Sequence, residues 1–81
     1  RLLRRMKRIE TLASLVDKDA YVLDIGTDHA YLPIYLYKNN ITKSIVGSDI
    51  SKNALEYAKT NLVKYGLENK IKLIVSDGLK I

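Results

Sequence analysis

The chain has 81 residues, with no cysteine and one histidine. This length allows one small domain at most. The composition excludes a disulfide framework and argues against a zinc site, so we expect no metal. No apolar run approaches the roughly 20 residues that span a bilayer, and no signal peptide is visible. We therefore expect a cytoplasmic protein with no membrane segment.

The formal net charge of +5 is concentrated at the start of the chain. Five basic residues lie within the first eight positions: Arg1, Arg4, Arg5, Lys7 and Arg8. The basic and acidic residues of the remainder balance. Such a cluster suits a polyanion, RNA above all, and Arg5 and Arg8 are candidate phosphate contacts. The alternatives are a solvated helix start and a charged end left by cutting a longer chain.

Hydrophobic periodicity and turn signals predict six elements in chain order. They are a helix over residues 2–16 that is basic on its outer face, a strand over 21–25, a helix over about 29–38, a strand over 44–49, a helix capped by Ser51 and stopped at Gly66, and a strand over 71–75. The second helix carries Pro33 in its first turns, where a missing N–H is tolerated.

This alternation of strands and helices predicts an α/β fold. Right-handed crossovers place the strands in the spatial order 3-2-1 with the helices on one face, which is half of a doubly wound sheet. The first strand is apolar on both faces, as parallel strands buried between helices are. Its open edge is one that natural proteins avoid. We therefore expect an N-terminal piece of a longer protein, or self-association of two copies through that edge.

An acidic residue lies at or just after the end of each predicted strand: Asp24, Asp49 and Asp77. Ligands of open α/β sheets bind outside the carboxyl ends of the strands, so we expect these side chains to face one crevice. Gly26 lets the backbone approach a ligand closely. Asp49 lies 23 positions beyond Gly26, near the roughly 20-residue spacing of an acid that accepts from ribose hydroxyls. Asp77, followed by Gly78, is placed to accept from an adenine amino group.

The first turn lacks the glycines of a phosphate-binding fingerprint. The pattern G-x-G-x-x-G would need glycine where the chain has Asp28 and Tyr31. Carboxylates at Asp24 and Asp28, on either side of Gly26, would repel a pyrophosphate and attract a cationic ligand. S-adenosylmethionine carries an adenine, a ribose, an ammonium and a sulfonium but no phosphate. The turn therefore favours this cofactor over NAD and disfavours the alternative of a nicotinamide-dependent oxidoreductase.

Three segments carry a resemblance to a known family: VLDIGTDHAYLP over residues 22–33, GSDIS over 47–51 and SDGL over 76–79. Together with the entering helix KRIETLASLV, they resemble the bacterial tRNA adenine-N1 methyltransferases that modify adenine 22 in the D-arm. These enzymes are class I, S-adenosylmethionine-dependent methyltransferases. The resemblance implies a Rossmann-like half-fold, with a basic N-terminal helix over 1–19 and a cofactor-binding βαβαβ unit over 20–81.

The resemblance covers the whole chain, but only the N-terminal third or so of such an enzyme. The family's later segments include a glycine-rich loop that faces the target base and a helical extension for tRNA. Neither falls within this sequence, so we expect this chain alone to be inactive, with tRNA as the partner of the parent enzyme.

The resemblance also implies roles for particular residues. The cofactor-binding residues would be Asp24, Gly26, Asp28, His29, Asp49, Ile50, Asp77 and Gly78. Of these, Asp24 and Gly26 would surround the methionine part, while Asp28 and His29 would line the same wall. Asp49 would hold the ribose, and Asp77 with Gly78 the adenine ring. His29 and Tyr31 are candidates for the wall that faces the target adenine.

Three of these residues could instead have a purely structural role. For His29 it is a hydrogen bond that shapes the loop, and for Asp28 it is the N-cap of the following helix. For Tyr31 it is packing at the boundary of helix and sheet. For the chain as a whole, the alternative is a non-catalytic RNA-binding or self-associating fragment, which cofactor binding would discriminate from a methyltransferase.

Overall fold

The computed structural model describes residues 2–76, with side chains from residue 6 onward. Its elements are α1 (Leu2–Ser14), β1 (Tyr21–Ile25), α2 (Tyr31–Lys38), β2 (Ser44–Asp49), α3 (Lys52–Lys64) and β3 (Lys72–Val75). The predicted order of elements is confirmed, and the first two strands have the predicted bounds. The third strand begins one residue later than predicted, at Lys72.

The three strands form one parallel sheet in the order β1-β2-β3. The register pairs Val22 with Ile45 and Gly47 with Leu73. The predicted spatial order 3-2-1 is therefore confirmed. Within the described part of the chain, β1 pairs only with β2 and lies at the sheet edge. Pairing of two copies through this edge stays a prediction.

One face of the sheet is covered by helices and holds the core. Helix α2 packs on β2, α3 packs on β2 and β3, and α1 packs on α2. Alternate strand residues point to opposite faces, and Val22, Ile45 and Leu73 point to the covered one. Leu36 of α2 and Leu62 of α3 are fully buried there. The helices therefore lie on one face, as predicted.

The opposite face of the sheet is open. Tyr21, Leu23 and Ile25 of β1 are 92%, 43% and 57% exposed. The strand is therefore apolar on both faces, as its sequence indicates, but only one face is covered within the described residues. The apolar residues on its second face are typical of a strand between two helical layers, but the described helices supply only one layer.

Helix α2 begins at Tyr31, two residues after the predicted start. The reason lies in Ala30, whose φ of 62° is left-handed, so the residues before Tyr31 form turns rather than helix. No side chain caps this helix. The alternative role of Asp28 as its N-cap is therefore wrong. Helix α1 likewise ends two residues early, because the N–H groups of Leu15 and Val16 bond to carbonyls three residues back.

Helix α3 has the predicted start and stop signals. The Ser51 hydroxyl accepts a hydrogen bond from the Ala54 N–H, at 3.2 Å, as an N-cap does. At the other end, Gly66 has a φ of 70°, which suits the residue that terminates a helix. These two signals fix the length of the helix that supports β2 and β3.

We expect Leu62→Ala to lower the free energy of unfolding by about 2–5 kcal/mol, because it opens a cavity at a fully buried position. The matched control is Val63→Ala, one residue along α3, where the side chain is 56% exposed. Urea denaturation of the two variants measures the difference. Equal losses would contradict the assignment of Leu62 to the core.

Candidate functional site

The loop between β1 and α2 is held in a fixed, strained path at the carboxyl end of the sheet. Asp28 and Ala30 have φ values of 56° and 62°, a region that residues with a side chain rarely adopt, whereas Gly26 adopts its φ of 72° without strain. The N–H of Thr27 donates to the carbonyl of Ser48 on β2, at 2.8 Å, and so continues the sheet pairing into the loop. Strained residues persist only where their surroundings hold them, and such strain is common at functional sites.

The Asp49 carboxylate joins this loop to the end of β2. One oxygen, Oδ2, accepts a hydrogen bond from the N–H of Asp28 at 3.1 Å, and Oδ1 accepts one from the N–H of Ser51 at 3.0 Å. Asp49 is only 9% exposed. A carboxylate has about four lone-pair sites, so these two bonds leave acceptor capacity for a ligand. Asp49 is thus both a structural link and an available acceptor.

Asp24 lies on the helix-covered face of β1, next to the loop. Burial raises the pKa of its carboxyl above the usual value, and the negative charge of Asp49 raises it further. The hydroxyl of Thr27 acts in the opposite direction by favouring the charged form. A cationic ligand beside this carboxyl would favour its charged form and so offset the cost of ionising it in a buried position.

The imidazole of His29 is held between two tyrosine rings. Its centroid is 5.4 Å from those of both Tyr31 and Tyr57, with the ring planes 15° and 31° apart. The backbone carbonyl of His29 accepts a hydrogen bond from Nδ2 of Asn61, at 2.8 Å. Nδ1 lies 3.1 Å from Oδ2 of Asp28 without hydrogen-bond alignment. These contacts favour the interpretation in which His29 shapes the loop and ties it to α3.

Gly47 in the middle of β2 makes room for the loop. A Cβ at this position would lie 3.0 Å from Cδ2 of Leu73 and 3.1 Å from Oγ1 of Thr27. The side chain of Thr27 is buried against the sheet at this point, with 6% of its surface exposed. The loop can therefore lie close to the sheet because β2 has no side chain there.

A cleft of about 220 Å³ opens beside the loop, between α1 and the start of α2. It is lined by Arg8, Ile9, Leu12, Asp24, Gly26, Thr27, Asp28, Tyr31 and Leu32. The structure thus brings together the predicted cofactor-binding residues Asp24, Gly26 and Asp28. Tyr31, a candidate for the target-base wall, lies in the same lining. So does Arg8, which the sequence suggested as an RNA contact.

The other predicted site residues lie elsewhere. His29, Asp49 and Ile50 are not among the residues that line this cleft. Asp49 is 9% exposed at the end of β2, whereas Ile50, the next residue, is 76% exposed. Asp77 and Gly78 lie outside the described residues, and so does the side chain of Arg5.

Sequence reasoning missed three residues that shape the site: Thr27, Tyr57 and Asn61. Tyr57 and Asn61 are four positions apart on α3 and therefore share a face of that helix. That spacing was a usable signal, because an aromatic and an amide beside an apolar stripe can reach a neighbouring loop. Thr27 carried no comparable signal, since its position depends on the missing side chain at Gly47.

The described residues also limit what kinds of metal site or membrane segment this part of the chain can form. No group of three or more His, Cys, Asp or Glu side chains there could hold a metal ion. Among the same residues, none of the helices is both long and apolar enough to cross a membrane.

We expect Asp24→Asn to raise the free energy of unfolding at neutral pH. The pKa of Asp24 is higher in the folded state than in the unfolded state. The wild-type protein is therefore most stabilised at a pH below the unfolded-state pKa, and it loses this stability as the pH rises through the folded-state pKa. Asparagine cannot ionise and escapes this loss. Urea denaturation between pH 4 and pH 8 should show that the free energy of unfolding of Asp24→Asn exceeds that of the wild type by an amount that grows with pH. The control is Asp17→Asn, at an exposed position. A difference between Asp24→Asn and wild type that does not change with pH would contradict the expectation.

Comparison with known proteins supports the resemblance seen in the sequence. The tRNA (adenine(22)-N(1))-methyltransferase of Bacillus subtilis is 34% identical over 79 residues, which cover 98% of this chain and 33% of that protein. The structure of M. capricolum TrmK in complex with S-adenosyl-homocysteine is 45% identical, with a TM-score of 0.84, over 90% of this chain and 32% of that one.

A third relative has the same fold with a different bound ligand. The structure of Streptococcus pneumoniae Sp1610 in complex with S-adenosyl-L-methionine is 38% identical, with a TM-score of 0.83, over 90% of this chain and 34% of that one. The chain thus spans about one third of the length of each relative. The predicted Rossmann-like fold and the resemblance are both confirmed. A methyltransferase domain family matches residues 5–81, and the chain belongs to that family.

Proposed function

We propose that the protein is an S-adenosylmethionine-dependent tRNA methyltransferase that modifies N1 of an adenine in the D-arm, and that this chain carries the cofactor-binding part. The observation that carries the proposal is the strained loop at the carboxyl end of the sheet, fixed by Asp49 and bearing the carboxylates of Asp24 and Asp28. The solved relatives with bound S-adenosylmethionine or S-adenosyl-homocysteine support the choice of cofactor. A tRNA substrate would place the protein in the cytoplasm.

The chain's residues suit the chemical groups of this cofactor. Asp24 and Asp28 line the cleft and would offset the ammonium and sulfonium charges, while Gly26 presents backbone without a side chain. Asp49 has free lone pairs for the ribose hydroxyls. Ile50 follows Asp49 and is exposed, so it could cover one face of the adenine-ribose part. Asp77 and Gly78 remain candidates for the adenine ring.

The reaction makes modest demands on the protein. When bound, S-adenosylmethionine would supply an electrophilic methyl group for transfer to N1 of adenine. N1 of neutral adenine carries no proton, so no general base is needed, and we assign none. The protein's task is to position the two reactants and exclude water, after the adenine has left its stack. Tyr31, in the cleft lining and stacked on His29, has an aromatic face that an unstacked base could meet.

Calorimetry with the full-length protein tests the cofactor, and methylation of a tRNA transcript tests the substrate. We expect binding of S-adenosyl-homocysteine, no binding of NADH, and formation of N1-methyladenine in a transcript with adenine 22 but not in one with guanine there. RNA binding without cofactor binding would overturn the proposal in favour of a non-catalytic RNA-binding protein. Methylation of both transcripts would keep the activity and refute the target.

The ribose role of Asp49 has a test that separates it from the structural role. We expect the wild-type protein to bind S-adenosyl-homocysteine about 10- to 100-fold more tightly than its 2′,3′-dideoxy analogue, since hydrogen bonds to a charged group contribute roughly 1.5–3 kcal/mol. In Asp49→Asn this preference should largely disappear. Weaker binding of both ligands with the preference intact would show that Asp49 only holds the loop.

A further inference from the structure

A second groove, larger than the cleft beside the loop, lies between the helices. It has a volume of about 420 Å³ and is lined by residues of α1, of α2 and of the turn that ends α3. Ile9 and Ile34 give it an apolar lining, to which Tyr35 and Tyr65 add aromatic rings. We call it the tyrosine groove. Its volume falls within the range of about 300–1,000 Å³ of pockets that take small organic groups, yet the proposed reaction makes no use of it.

The side chains of the tyrosine groove suit a flat, apolar group. Tyr65 is 44% exposed and Tyr35 is half-buried, so both rings line the groove while remaining partly accessible. Met6 is 49% exposed and adds a flexible contact that can adapt to a ring. Every nucleobase has a flat face that stacks on aromatic side chains, and proteins hold unstacked RNA bases in this way.

The charges that the structure places in and next to the groove are mainly positive. Lys38 lines it, and Nζ of Lys64 lies 5.7 Å from the centroid of the Tyr65 ring. Lys7 is exposed on α1, which supplies one side of the groove. Glu10 contributes a carboxylate to the lining. Cations beside accessible aromatic rings are the combination that binds single-stranded nucleic acid, because the cations meet phosphates and the rings meet bases.

The tyrosine groove adjoins the cleft that would hold the cofactor. Tyr31, at the start of α2, lines both of them. A base in the groove and a target adenine facing the cleft would therefore be close to each other along an RNA strand. Extruding one base costs stacking energy, and stacking a flanking base on protein rings offsets part of that cost.

We propose that the tyrosine groove binds an unstacked base next to the target adenine in the tRNA substrate. Tyr35 and Tyr65 supply the stacking faces, and Lys38 contacts a phosphate. The inference rests on the proposed function and adds to it an RNA-binding surface outside the methyl-transfer cleft. It extends the surface that holds RNA from the basic helix α1 to α2 and the end of α3.

Binding of tRNA transcripts to the full-length protein, with S-adenosyl-homocysteine present, tests the groove. One transcript is intact, and two others carry an abasic residue on one or the other side of the target adenine. We expect the wild type to bind one of the abasic transcripts about 5- to 100-fold more weakly than the intact one, since a base stacked on an aromatic ring contributes that much. Tyr65→Leu and Tyr35→Leu should each reduce this preference. The matched control is Tyr37→Leu, on the same helix but absent from the groove lining.

Lys38→Ala should behave differently from the tyrosine variants. A phosphate contact carries no information about the base, so the loss of Lys38 should weaken all three transcripts by similar factors and make binding less dependent on salt. A loss confined to the intact transcript would contradict this role.

The outcomes separate this inference from the proposed function. If the wild type methylates the intact transcript but binds all three equally, the groove takes no base and the inference is wrong, while the proposed function stands. If the protein neither binds S-adenosyl-homocysteine nor methylates tRNA, the proposed function itself fails.

Two further results would overturn the inference. A preference for the intact transcript that survives in both tyrosine variants would place the flanking base elsewhere. A change of oligomeric state in these variants by light scattering, with RNA binding intact, would make the groove a protein interface. Circular dichroism and the affinity for S-adenosyl-homocysteine, which Tyr65→Leu should leave unchanged, show that the variants are folded.

Discussion

The link that Asp49 makes between two loops is the interaction on which the candidate site depends. Its carboxylate accepts hydrogen bonds from the N–H groups of Asp28, in the loop after β1, and Ser51, just after β2. Hydrogen bonds to a charged, buried acceptor are among the stronger ones in proteins. These bonds help to hold the left-handed residues Asp28 and Ala30 of the first loop, where no side chain caps α2.

The same acid illustrates how far the sequence could predict the site. The strand pattern correctly placed Asp49 at the end of β2, because strand lengths and crossovers are read well from local patterns. The sequence could not show that the carboxylate bonds backbone N–H groups, since these partners depend on loop conformation. Ala30 is the clearest case: nothing about alanine signals a left-handed φ, so the start of α2 was misplaced.

The sequence also could not predict which side chains from different helices and loops lie next to one another. Periodicity found the helix that carries Arg8 and assigned its basic face to RNA, but only the packing of α1 on α2 places that residue in the cleft with Asp24. Likewise, the contact between the rings of Tyr57 and His29 depends on how α3 packs against the sheet. Local order was predictable in this chain, whereas the charge arrangement of the site came from long-range packing.

The close fit between Thr27 and Gly47 has a consequence for how such a sequence can change. The two positions are twenty residues apart, yet the side chain of one occupies the space where the other has none. A larger residue at 47 would meet both Thr27 and Leu73, so these neighbours would have to shift or become smaller to admit it. Substitutions at positions 27 and 47 are therefore epistatic: the cost of a side chain at one depends on the size of the residue at the other.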